Sequence, residues 1–581
     1  MTSQLLASRE RCVDEGLEAA AATNPGYLYI PEHRLIADRR WLMKDGKGKH
    51  QVALVTGGGS GHEPFCVGYV GTGMLGAAVA GHVFTSPPPA AVAAAITTVG
   101  RDNPAGVLVV VFNYTGDRIN CGLAVERCRA AGMKVEMYVS GDDTALTQLE
   151  GTAGRRGLCG TMFIFKIVGA MTEAGASLEE AMNTCKRLSE AIGTIGVAAS
   201  GCTLPGASAP LFTVGEGVME LGLGVHGETG AATIKAGTLQ EVVEMLLNHL
   251  TRKDSETRLD LQSGDKVAVI INNLGGLSQL ELSNLTNEVV SQLTENRGVE
   301  VKRVYPGQLM TSLDMRGLHV SVLRLLDPTW LPLLDAPTTA PAWPTPYLNT
   351  TTTSQFSMPN LTLTQTKMDT GYMLSDAAHT QALKACLEAV VAQVPQYEQH
   401  LNDLDTTCGD GDCGSTLIKG INGVSKELSG LPLMYPSQVL GVLGEVTASY
   451  MGGTSGGVYS ILFTAAAAHI TSPKASHRLT WATALRAGCD AISKYGGARQ
   501  GDRTMLDALL PAVEVLEGSP DNHDLRTILK AMATAADEGS KKTAYMGARA
   551  GRATYVRAEN VSGEDAGARS VAYILQAMAH Y

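Results

Sequence analysis

Three carboxylates in the stretch LDTTCGDGDCGST (residues 404–416) could bind a metal ion: Asp405, Asp410 and Asp412. The glycines at 409 and 411 permit the tight backbone path along which these carboxylates can converge. Neighbouring carboxylates repel one another unless a cation lies between them, and Mg²⁺ prefers a few carboxylates together with water and substrate phosphates. The spacing is not that of an EF-hand loop. We therefore predict a divalent metal site, with a solvated Asp-Gly turn as the alternative.

Two glycine-rich turns further along the chain could bind phosphate. MGGTSGGVYS (residues 451–460) leads into an apolar helix, so its amides and hydroxyls would lie at a helix N-terminus. YGGARQGDRTMLD (residues 495–507) adds an arginine and a threonine. The sequence contains no GxxxxGK[ST] motif, which excludes a P-loop NTPase. GTSGG matches the GxSxG pattern of serine hydrolases around Ser455, but that pattern needs a preceding strand and the preceding residues are typical of a helix.

Three polar loops with flanking glycines occur in the first half of the chain. GGGSGHEP (residues 57–64) and NYTGD (residues 113–117) each follow a predicted strand, and ELGLGVHGETG (residues 220–230) carries His226 between glycines. A single histidine is ordinarily a surface or core residue. Three such loops in one domain indicate a small-molecule site more than three independent turns. GGGSGHEP does not match GxGxxG, which argues against a dinucleotide-binding site.

The elements before residue 335 predict an α/β domain in two parts. Apolar runs at 51–59, 106–117 and 135–143 have the pattern of buried strands that enter loops, and Ala-rich helical stretches lie between them. A second α/β section is expected after about Asn272, with strands in KVAVIINNLGG and HVSVLRLLD. Functional loops are expected at the strand ends of such a domain.

The region after residue 335 predicts a linker and then a helical domain. Residues 336–366 contain no charged residue and many Thr and Pro residues, which is typical of a linker. Beyond it, apolar residues recur at helical spacing in TQALKACLEAVVAQV. We therefore predict a substrate domain at 1–335, a linker at 336–368 and an all-α domain at 369–581, with the aspartate turn after its first long helix.

Composition restricts the class of protein. A chain of 581 residues is too long for one hydrophobic core, so at least two domains are expected. The formal net charge of −11 argues against nucleic-acid binding. We find no apolar run long enough to span a membrane and no signal-peptide core. The 11 cysteines form no CxxC pairs, which favours reduced thiols and the cytosol.

The motifs GGGSGHEP, NYTGD, GLGVHGE, NNLGGLS, GDGDCG and GDRTMLD occur in an order that resembles the dihydroxyacetone kinase family, in its fused, ATP-dependent form. The resemblance covers both predicted domains. It implies an N-terminal two-part α/β substrate domain and a C-terminal eight-helix barrel that binds the nucleotide. The implied activity is ATP-dependent phosphorylation of dihydroxyacetone and D-glyceraldehyde.

The resemblance also implies roles for residues of the substrate domain. His226 would attack the substrate carbonyl to form a covalent hemiaminal, which requires a neutral imidazole. Asp117 would accept the proton of the primary hydroxyl, and His62 would hydrogen-bond the substrate and assist that transfer. Four further residues are expected to bind substrate: Gly59, Ser60, Gly61 and Phe112. The family usually has Lys at the position of Phe112, and an aromatic ring cannot donate the hydrogen bond of that lysine.

In the helical domain, the resemblance assigns the three aspartates of the turn to two Mg²⁺ ions that bridge the ATP phosphates. Further residues match the family's nucleotide contacts: Asp410, Gly411, Asp412, Cys413, Thr454, Ser455, Gly496, Thr504, Met505, Asp565, Ala566 and Gly567. Arg552 is expected to contact a phosphate because of its charge and its position in the family pattern.

Animal-type members of the family also cleave FAD to AMP and riboflavin cyclic phosphate at the nucleotide site, with Mn²⁺ or Co²⁺ favoured. The resemblance further implies a homodimer and, for animal members, a regulatory protein partner in innate immune RNA sensing. Two alternatives stay open. The first is an enzyme that is mainly an FAD-AMP lyase, its kinase activity weakened by Phe112. The second is a regulatory binding protein that keeps the fold but little catalysis.

Overall fold

The structure, a computed structural model, describes residues 4–6, 8–43, 50–148, 154–344, 372–374, 376–407, 409–470, 476–551, 554 and 562–581. The chain divides into two compact units, Met1–Ser357 and Met358–Tyr581. The boundary lies within the range predicted as a linker. The start of that range differs from a free connector, because Ala340 and Trp343 are buried in the first unit.

The first sheet of the N-terminal unit has the strand order β1-β2-β4-β3-β5-β6. Its strands are β1 (Tyr27–Ile30), β2 (Leu35–Asp38), β3 (Ala53–Ser60), β4 (Ala77–Val83), β5 (Val107–Phe112) and β6 (Val135–Ser140). Helices of this part are α1 (Cys12–Thr23), α2 (Pro89–Gly100), α3 (Thr115–Ala130), α4 (Thr161–Glu173) and α5 (Leu178–Ala191). β3, β4, β5 and β6 are parallel. The loops after β3 and β5 therefore leave the sheet at the same edge, as Gly-rich and polar loops of α/β domains do.

The second sheet has the order β11-β10-β12-β7-β8-β9. Its strands are β7 (Ile192–Ala198), β8 (Val218–Leu221), β9 (Ala232–Lys235), β10 (Lys266–Asn273), β11 (Glu300–Gly307) and β12 (Gly317–Arg324). Its helices are α6 (Leu239–Thr251), α7 (Gln279–Ser291) and α8 (Trp330–Asp335). The two-part α/β domain is thus confirmed, but the second part begins at β7 and not near Asn272, so the predicted division was about eighty residues too late.

The C-terminal unit is helical throughout the part that the structure describes. Its helices are α9 (Ala377–Gln393), α10 (Glu398–Asp405), α11 (Cys413–Glu427), α12 (Pro436–Tyr450), α13 (Gly453–His469), α14 (His477–Gly496), α15 (Leu506–Gly518), α16 (Leu525–Thr543) and α17 (Ala566–Ala579). From α11 to α17 each helix packs against the next, and α9 packs against both α11 and α17. Eight helices therefore close into a ring, with the short α10 between two of them, as the predicted eight-helix barrel requires.

The ring surrounds an apolar interior. A cavity of about 610 Å³ lies there, and its walls include Leu387, Leu417, Leu440, Phe463 and Trp481. Each helix presents apolar side chains at helical spacing to this interior, which is the arrangement expected for an amphipathic helix in a bundle. Within the described ranges, none of the helices combines the length and apolar character that a membrane crossing demands.

Candidate active site

His62 lies in the loop directly after β3, whose last residues include the predicted Gly59 and Ser60. Its Nδ1 lies 2.9 Å from the carbonyl oxygen of Thr311, and the side chain is 2% exposed. Because a carbonyl oxygen can only accept, Nδ1 must carry the hydrogen. Burial lowers the pKa of His62 to about 3, with a smaller contribution from His226. The ring is therefore neutral, and its Nε2 is an acceptor.

That Nε2 atom has no hydrogen-bond partner among the residues that the structure describes. A buried nitrogen without a partner is costly in free energy and is characteristic of a site that receives a ligand. His62 Nε2 is thus suited to accept a hydrogen bond or a proton from a bound hydroxyl group.

His226 lies in the loop that joins β8 and β9. Three aromatic rings surround its imidazole: those of His62, Tyr114 and Phe84, at centroid distances of 4.8, 4.7 and 5.6 Å. Burial lowers the pKa of His226. The neutral form therefore predominates near pH 7, and a neutral imidazole is the form that can act as a nucleophile.

Asp117 lies in the first turn of α3, and not in a loop as the sequence pattern predicted, because β5 ends at Phe112 and the helix begins at Thr115. The side chain is buried, and its Oδ1 has no hydrogen-bond partner in the described part of the chain. Burial raises the pKa of Asp117 to about 6, and a hydrogen bond from Ser86 opposes that shift. Asp117 is therefore ionised at pH 7 and has the strength of a general base.

We expect Asp117→Asn to stabilise the protein at neutral pH. The folded pKa of Asp117 is about 6 and the ordinary value is 3.8, so the folded state holds a proton that the unfolded state has lost. The contribution of Asp117 to stability is therefore complete below about pH 4 and is lost as the pH rises through 6. Removing the charge should raise the free energy of unfolding at pH 7.5 by about 2 to 3 kcal/mol.

Urea denaturation at pH 7.5 and pH 4.5 would measure this, with a clearly smaller gain at the lower pH. Asp327→Asn is a matched control of opposite sign, because a hydrogen bond from Thr329 lowers the pKa of Asp327. An equal gain at both pH values would assign the effect of Asp117→Asn to packing and not to ionisation.

Phe112 ends β5 next to the site, and its ring points into the core. The residue is 3% exposed, and its ring lies 4.6 Å from that of Phe65 and 6.1 Å from that of Phe165. Phe65 in turn lies 6.5 Å from the ring of His62. The position that the family usually gives to a lysine thus forms part of an aromatic layer beneath the site. The assignment of Phe112 to substrate binding stays a prediction.

The aspartate turn of the helical unit brings the three predicted carboxylates together. One carboxylate oxygen each from Asp405, Asp410 and Asp412 lies within 4.8 Å of the others. Asp405 is the last residue of α10, and its Oδ2 accepts hydrogen bonds from the backbone amides of Gly411 and Asp412 at 3.0 and 3.1 Å. A Cβ atom at Gly409 would lie 2.3 Å from Asp405 Oδ1, so only glycine permits this packing.

These residues suit a divalent cation. All three donors are hard oxygens, two of them are exposed, and their mutual repulsion is relieved by a positive ion. Asp412 precedes α11, and its side chain makes no capping hydrogen bond to the backbone of that helix, although its Oδ2 lies 3.5 Å from Thr416 Oγ1. The residues present therefore fit Mg²⁺, Mn²⁺ or a similar ion.

The starts of α11, α15 and α17 lie close to the aspartate turn. Thr407, between α10 and α11, has its Oγ1 3.3 Å from the carbonyl oxygen of Ser562, which precedes α17. A Cβ atom at Gly567 would lie 3.5 Å from Met505 Cβ. Most of the predicted nucleotide residues occupy these helix starts or the start of α13: Cys413, Thr454, Ser455, Thr504, Met505, Asp565, Ala566 and Gly567. Helix N-termini present amides and partial positive charge, so their convergence suits a polyphosphate.

Other nucleotide predictions have separate outcomes. Gly496 ends α14, and Arg552 lies outside the described residues. Sequence reasoning did not assign a role to Asp507, which is 2% exposed and accepts hydrogen bonds from the amides of Gly501 and Thr504 at 2.5 and 2.8 Å. It thereby shapes the turn before α15. Its position three residues after Thr504 in GDRTMLD was the available signal.

Sequence reasoning also did not identify the residues that surround and support His226. Phe84 and Tyr114 contact its ring, and Glu228 accepts a hydrogen bond from its backbone amide at 2.8 Å. Tyr114 lies within the quoted NYTGD motif and Glu228 within GLGVHGE, so the motifs contained the signal without the geometry.

Comparison with known proteins shows similarity along the whole chain. Residues 18–342 match the Dak1 domain, and residues 407–580 match the DAK2 domain. Two proteins named triokinase/FMN cyclase, from Homo sapiens and Bos taurus, are each 41% identical to this chain over 100% of its length and over 99% and 98% of theirs. The crystal structure of the dihydroxyacetone kinase from C. freundii in complex with AMP-PNP and Mg²⁺ superposes with a TM-score of 0.68, at 32% identity and 100% coverage of both chains.

Proposed function

The chain belongs to the dihydroxyacetone kinase family, and we propose that it phosphorylates dihydroxyacetone and D-glyceraldehyde with ATP. One observation carries this proposal: the ring centroid of the half-buried, neutral His226 lies 4.8 Å from that of His62, whose Nε2 has no partner among the described residues. That pair provides a nucleophile and an acceptor for a small carbonyl compound. The carboxylate cluster of the helical unit supplies the second requirement, a place for the metal ion that accompanies ATP.

In the proposed reaction, the substrate is anchored on His226. The unprotonated imidazole nitrogen forms a bond to the carbonyl carbon as the carbonyl π bond breaks, and the proton that the other ring nitrogen releases balances the one that the carbonyl oxygen takes up to give a hemiaminal. Polyols have no carbonyl group, so they are not held in this way. Gly59, Ser60 and Gly61 lie in and just after β3 beside His62, where they can enclose a three-carbon substrate.

Asp117 then accepts the proton of the primary hydroxyl as the hydroxyl oxygen attacks the γ-phosphorus of ATP, and the bond from that phosphorus to the bridging oxygen breaks to release ADP. Its pKa of about 6 leaves it ionised at neutral pH but basic enough for this transfer. His62 Nε2 accepts a hydrogen bond from the same substrate and orients it. The two groups orient the hydroxyl for this attack, and positioning accounts for much of the catalysis of phosphoryl transfer.

In the helical unit, Asp405, Asp410 and Asp412 would hold Mg²⁺, which supplies positive charge to the phosphates when bound. The amides and hydroxyls at the starts of α11, α13, α15 and α17 would bind the nucleotide, with Thr454 and Ser455 at the start of α13 directed to the phosphates. Gly496 and Arg552 complete the proposed set of nucleotide contacts. These assignments rest on the convergence of the helix starts and on the family pattern.

We also propose that the helical unit cleaves FAD to AMP and riboflavin cyclic phosphate, as an FAD-AMP lyase. The relatives from Homo sapiens and Bos taurus carry the name FMN cyclase beside triokinase, which favours this second activity. The reaction needs a nucleotide site and a divalent ion but no carbonyl group. We propose Mn²⁺ or Co²⁺ as its metal, on the ground of the family resemblance alone.

Further proposals concern the cell and the assembly. A homodimer in the cytosol would suit a soluble metabolic enzyme with reduced thiols, and, Cys413 apart, nine described cysteines form no disulfide. A regulatory protein partner in innate immune RNA sensing is proposed only through the family resemblance. Size-exclusion chromatography with light scattering would test the dimer directly.

One experiment separates the candidate functions. Purified protein is incubated with MgATP and dihydroxyacetone, and separately with Mn²⁺ and FAD. Phosphorylated triose in the first mixture supports the kinase. Cyclic phosphate in the second mixture with none in the first supports the lyase alone, its kinase activity weakened by Phe112. The absence of product from both mixtures would leave a regulatory binding protein.

A further inference from the structure

A charged pair lies directly behind the His226 loop. The Glu228 carboxylate accepts the backbone N–H of His226 through Oε2 at 2.8 Å, and its Oε1 lies 3.2 Å from Arg156 Nη1. A Cβ atom at Gly224 would lie 1.9 Å from Glu228 Oε1 and 3.0 Å from Arg156 Nη1. The loop thus has a glycine where this pair needs the space.

Arg156 is itself fixed by two further contacts. Its Nε lies 2.6 Å from Asp143 Oδ2, and its Nη2 donates to the carbonyl oxygen of Gly222 at 2.7 Å. Asp143 is 5% exposed and follows β6 of the first sheet, whereas Gly222 follows β8 of the second. One guanidinium therefore joins the strand ends of the two sheets at the base of the His226 loop.

We propose that Arg156 and Glu228 are positioning residues for His226, an inference that rests on the proposed kinase function. Arg156 fixes Glu228, Glu228 fixes the backbone of His226, and the imidazole is thereby held against His62. Neither side chain touches the substrate in this arrangement. The planar fork of arginine is suited to the task, because it contacts a carboxylate on each side and a carbonyl in a single geometry.

The two charges also act on His226 in opposite directions. Burial is the largest influence on the pKa of His226 and lowers it, while the Glu228 carboxylate raises it and the Arg156 guanidinium lowers it. The other titratable groups that face the imidazole are His62 and Tyr114, and burial keeps both uncharged near pH 7. Asp143 is paired with Arg156. Burial thus keeps the imidazole of His226 neutral, and the two charges oppose one another in their effect on its pKa.

A simpler interpretation is that the pair only stabilises the loop. Two substitutions distinguish the interpretations because their charge effects differ in sign. Arg156→Met should raise the pKa of His226, and Glu228→Gln should lower it, each by about one pH unit. General loosening of the loop would move the pKa of His226 towards its ordinary value in both variants.

The readout is a proton titration by NMR of protein labelled with ¹³C at histidine Cε1, in which His226 is identified by the signal that His226→Ala removes. This measurement needs no activity. Kinetics with dihydroxyacetone add a second readout. Arg156→Lys keeps the charge but loses the fork, so it should leave the His226 titration unchanged and lower kcat/KM by about a hundredfold.

Arg252→Met is the matched control, because Arg252 forms an exposed forked pair with Asp254 away from the site. It should change neither readout.

The proposal is supported if the pKa of His226 rises in Arg156→Met and falls in Glu228→Gln, and if kcat/KM falls in Arg156→Lys. Changes of the same sign, or an Arg156→Lys enzyme with full kcat/KM, overturn it. If the wild-type protein phosphorylates no triose while the two variants still change the pKa of His226 in opposite directions, the proposed kinase function is wrong and the charge coupling stands. If Arg156→Met does not fold, Glu228→Gln and Arg156→Lys decide the question.

Discussion

Replacing His226 with alanine is expected to abolish the phosphorylation of dihydroxyacetone while leaving FAD cleavage unchanged. The imidazole is the group that bonds to the substrate carbonyl in the proposed reaction, and the rings of His62, Tyr114 and Phe84 have their centroids within 5.6 Å of its own. Alanine leaves that enclosure without a group that can bond to the carbonyl carbon. Since covalent anchoring replaces a bimolecular encounter, kcat/KM for the triose should fall at least about 10³-fold.

The measurement compares triose phosphate formed with MgATP and AMP released from FAD with Mn²⁺, in the same protein preparation. FAD cleavage needs no carbonyl group, so it reports whether the helical unit is intact. His33→Ala serves as a matched control, because His33 lies in a short helical turn before β2. If both activities fell together in His226→Ala, the separation of the two sites would be contradicted.

Replacing Asp410 and Asp412 together by asparagine is expected to remove both activities. The carboxylate oxygens of these residues and of Asp405 lie within 4.8 Å of one another, and asparagine keeps the shape while it removes two negative charges. A metal ion supplies several kcal/mol of charge stabilisation in phosphoryl transfer, and about 1.4 kcal/mol corresponds to a tenfold change in rate. Loss of the ion should therefore lower both activities by about 10³-fold.

Calorimetric titration with Mn²⁺ provides a readout that is independent of catalysis, and the double variant should bind the ion far more weakly. Asp405 is left unchanged because its Oδ2 accepts the amides of Gly411 and Asp412 and so maintains the turn. Asp403→Asn is the matched control, since Asp403 lies on α10 and pairs with Gln399. Unchanged Mn²⁺ affinity in the double variant would refute the metal assignment.

The aspartate turn and the helical character of the C-terminal unit could be predicted from sequence because their signals are local. A single glycine separates Asp410 from Asp412, and apolar residues at helical spacing define a face whatever the neighbouring helix is. The start of α13 could be located in the same way, since a glycine-rich turn precedes an apolar helix, whereas the residues at the starts of α15 and α17 were assigned through the family resemblance. What the sequence could not provide was their convergence, which arises from the closure of the ring.

The second sheet was located too late for a specific physical reason. β7 contains Gly193 and Gly196, and glycine within an apolar run argues against a strand. A Cβ atom at Gly196 would lie 2.3 Å from His319 Cδ2, so the glycine leaves room for a ring from β12. Only the partner strand explains the residue, and long-range partners cannot be read from one sequence.

The contacts behind His226 were missed for a related reason. Arg156 and Glu228 are seventy-two positions apart and lie in different parts of the domain. Their charges have no periodic pattern, and a single arginine or glutamate is usually a solvated surface residue. The pairing depends on the three-dimensional arrangement that brings Arg156 to the loops after β6 and β8.

Closure of the helical ring has a consequence for how the protein is made. Cys386 on α9 donates a hydrogen bond to the carbonyl oxygen of Met578 on α17 across 192 positions, so the seam joins the earliest helix of the unit to the last. Until α17 emerges during synthesis, the apolar interior stays open on one side, and the start of α17, with Asp565 to Gly567, is missing from the proposed nucleotide site. We therefore expect nascent chains to acquire nucleotide affinity at the final step of folding. A prematurely terminated chain should expose the apolar interior and bind chaperones.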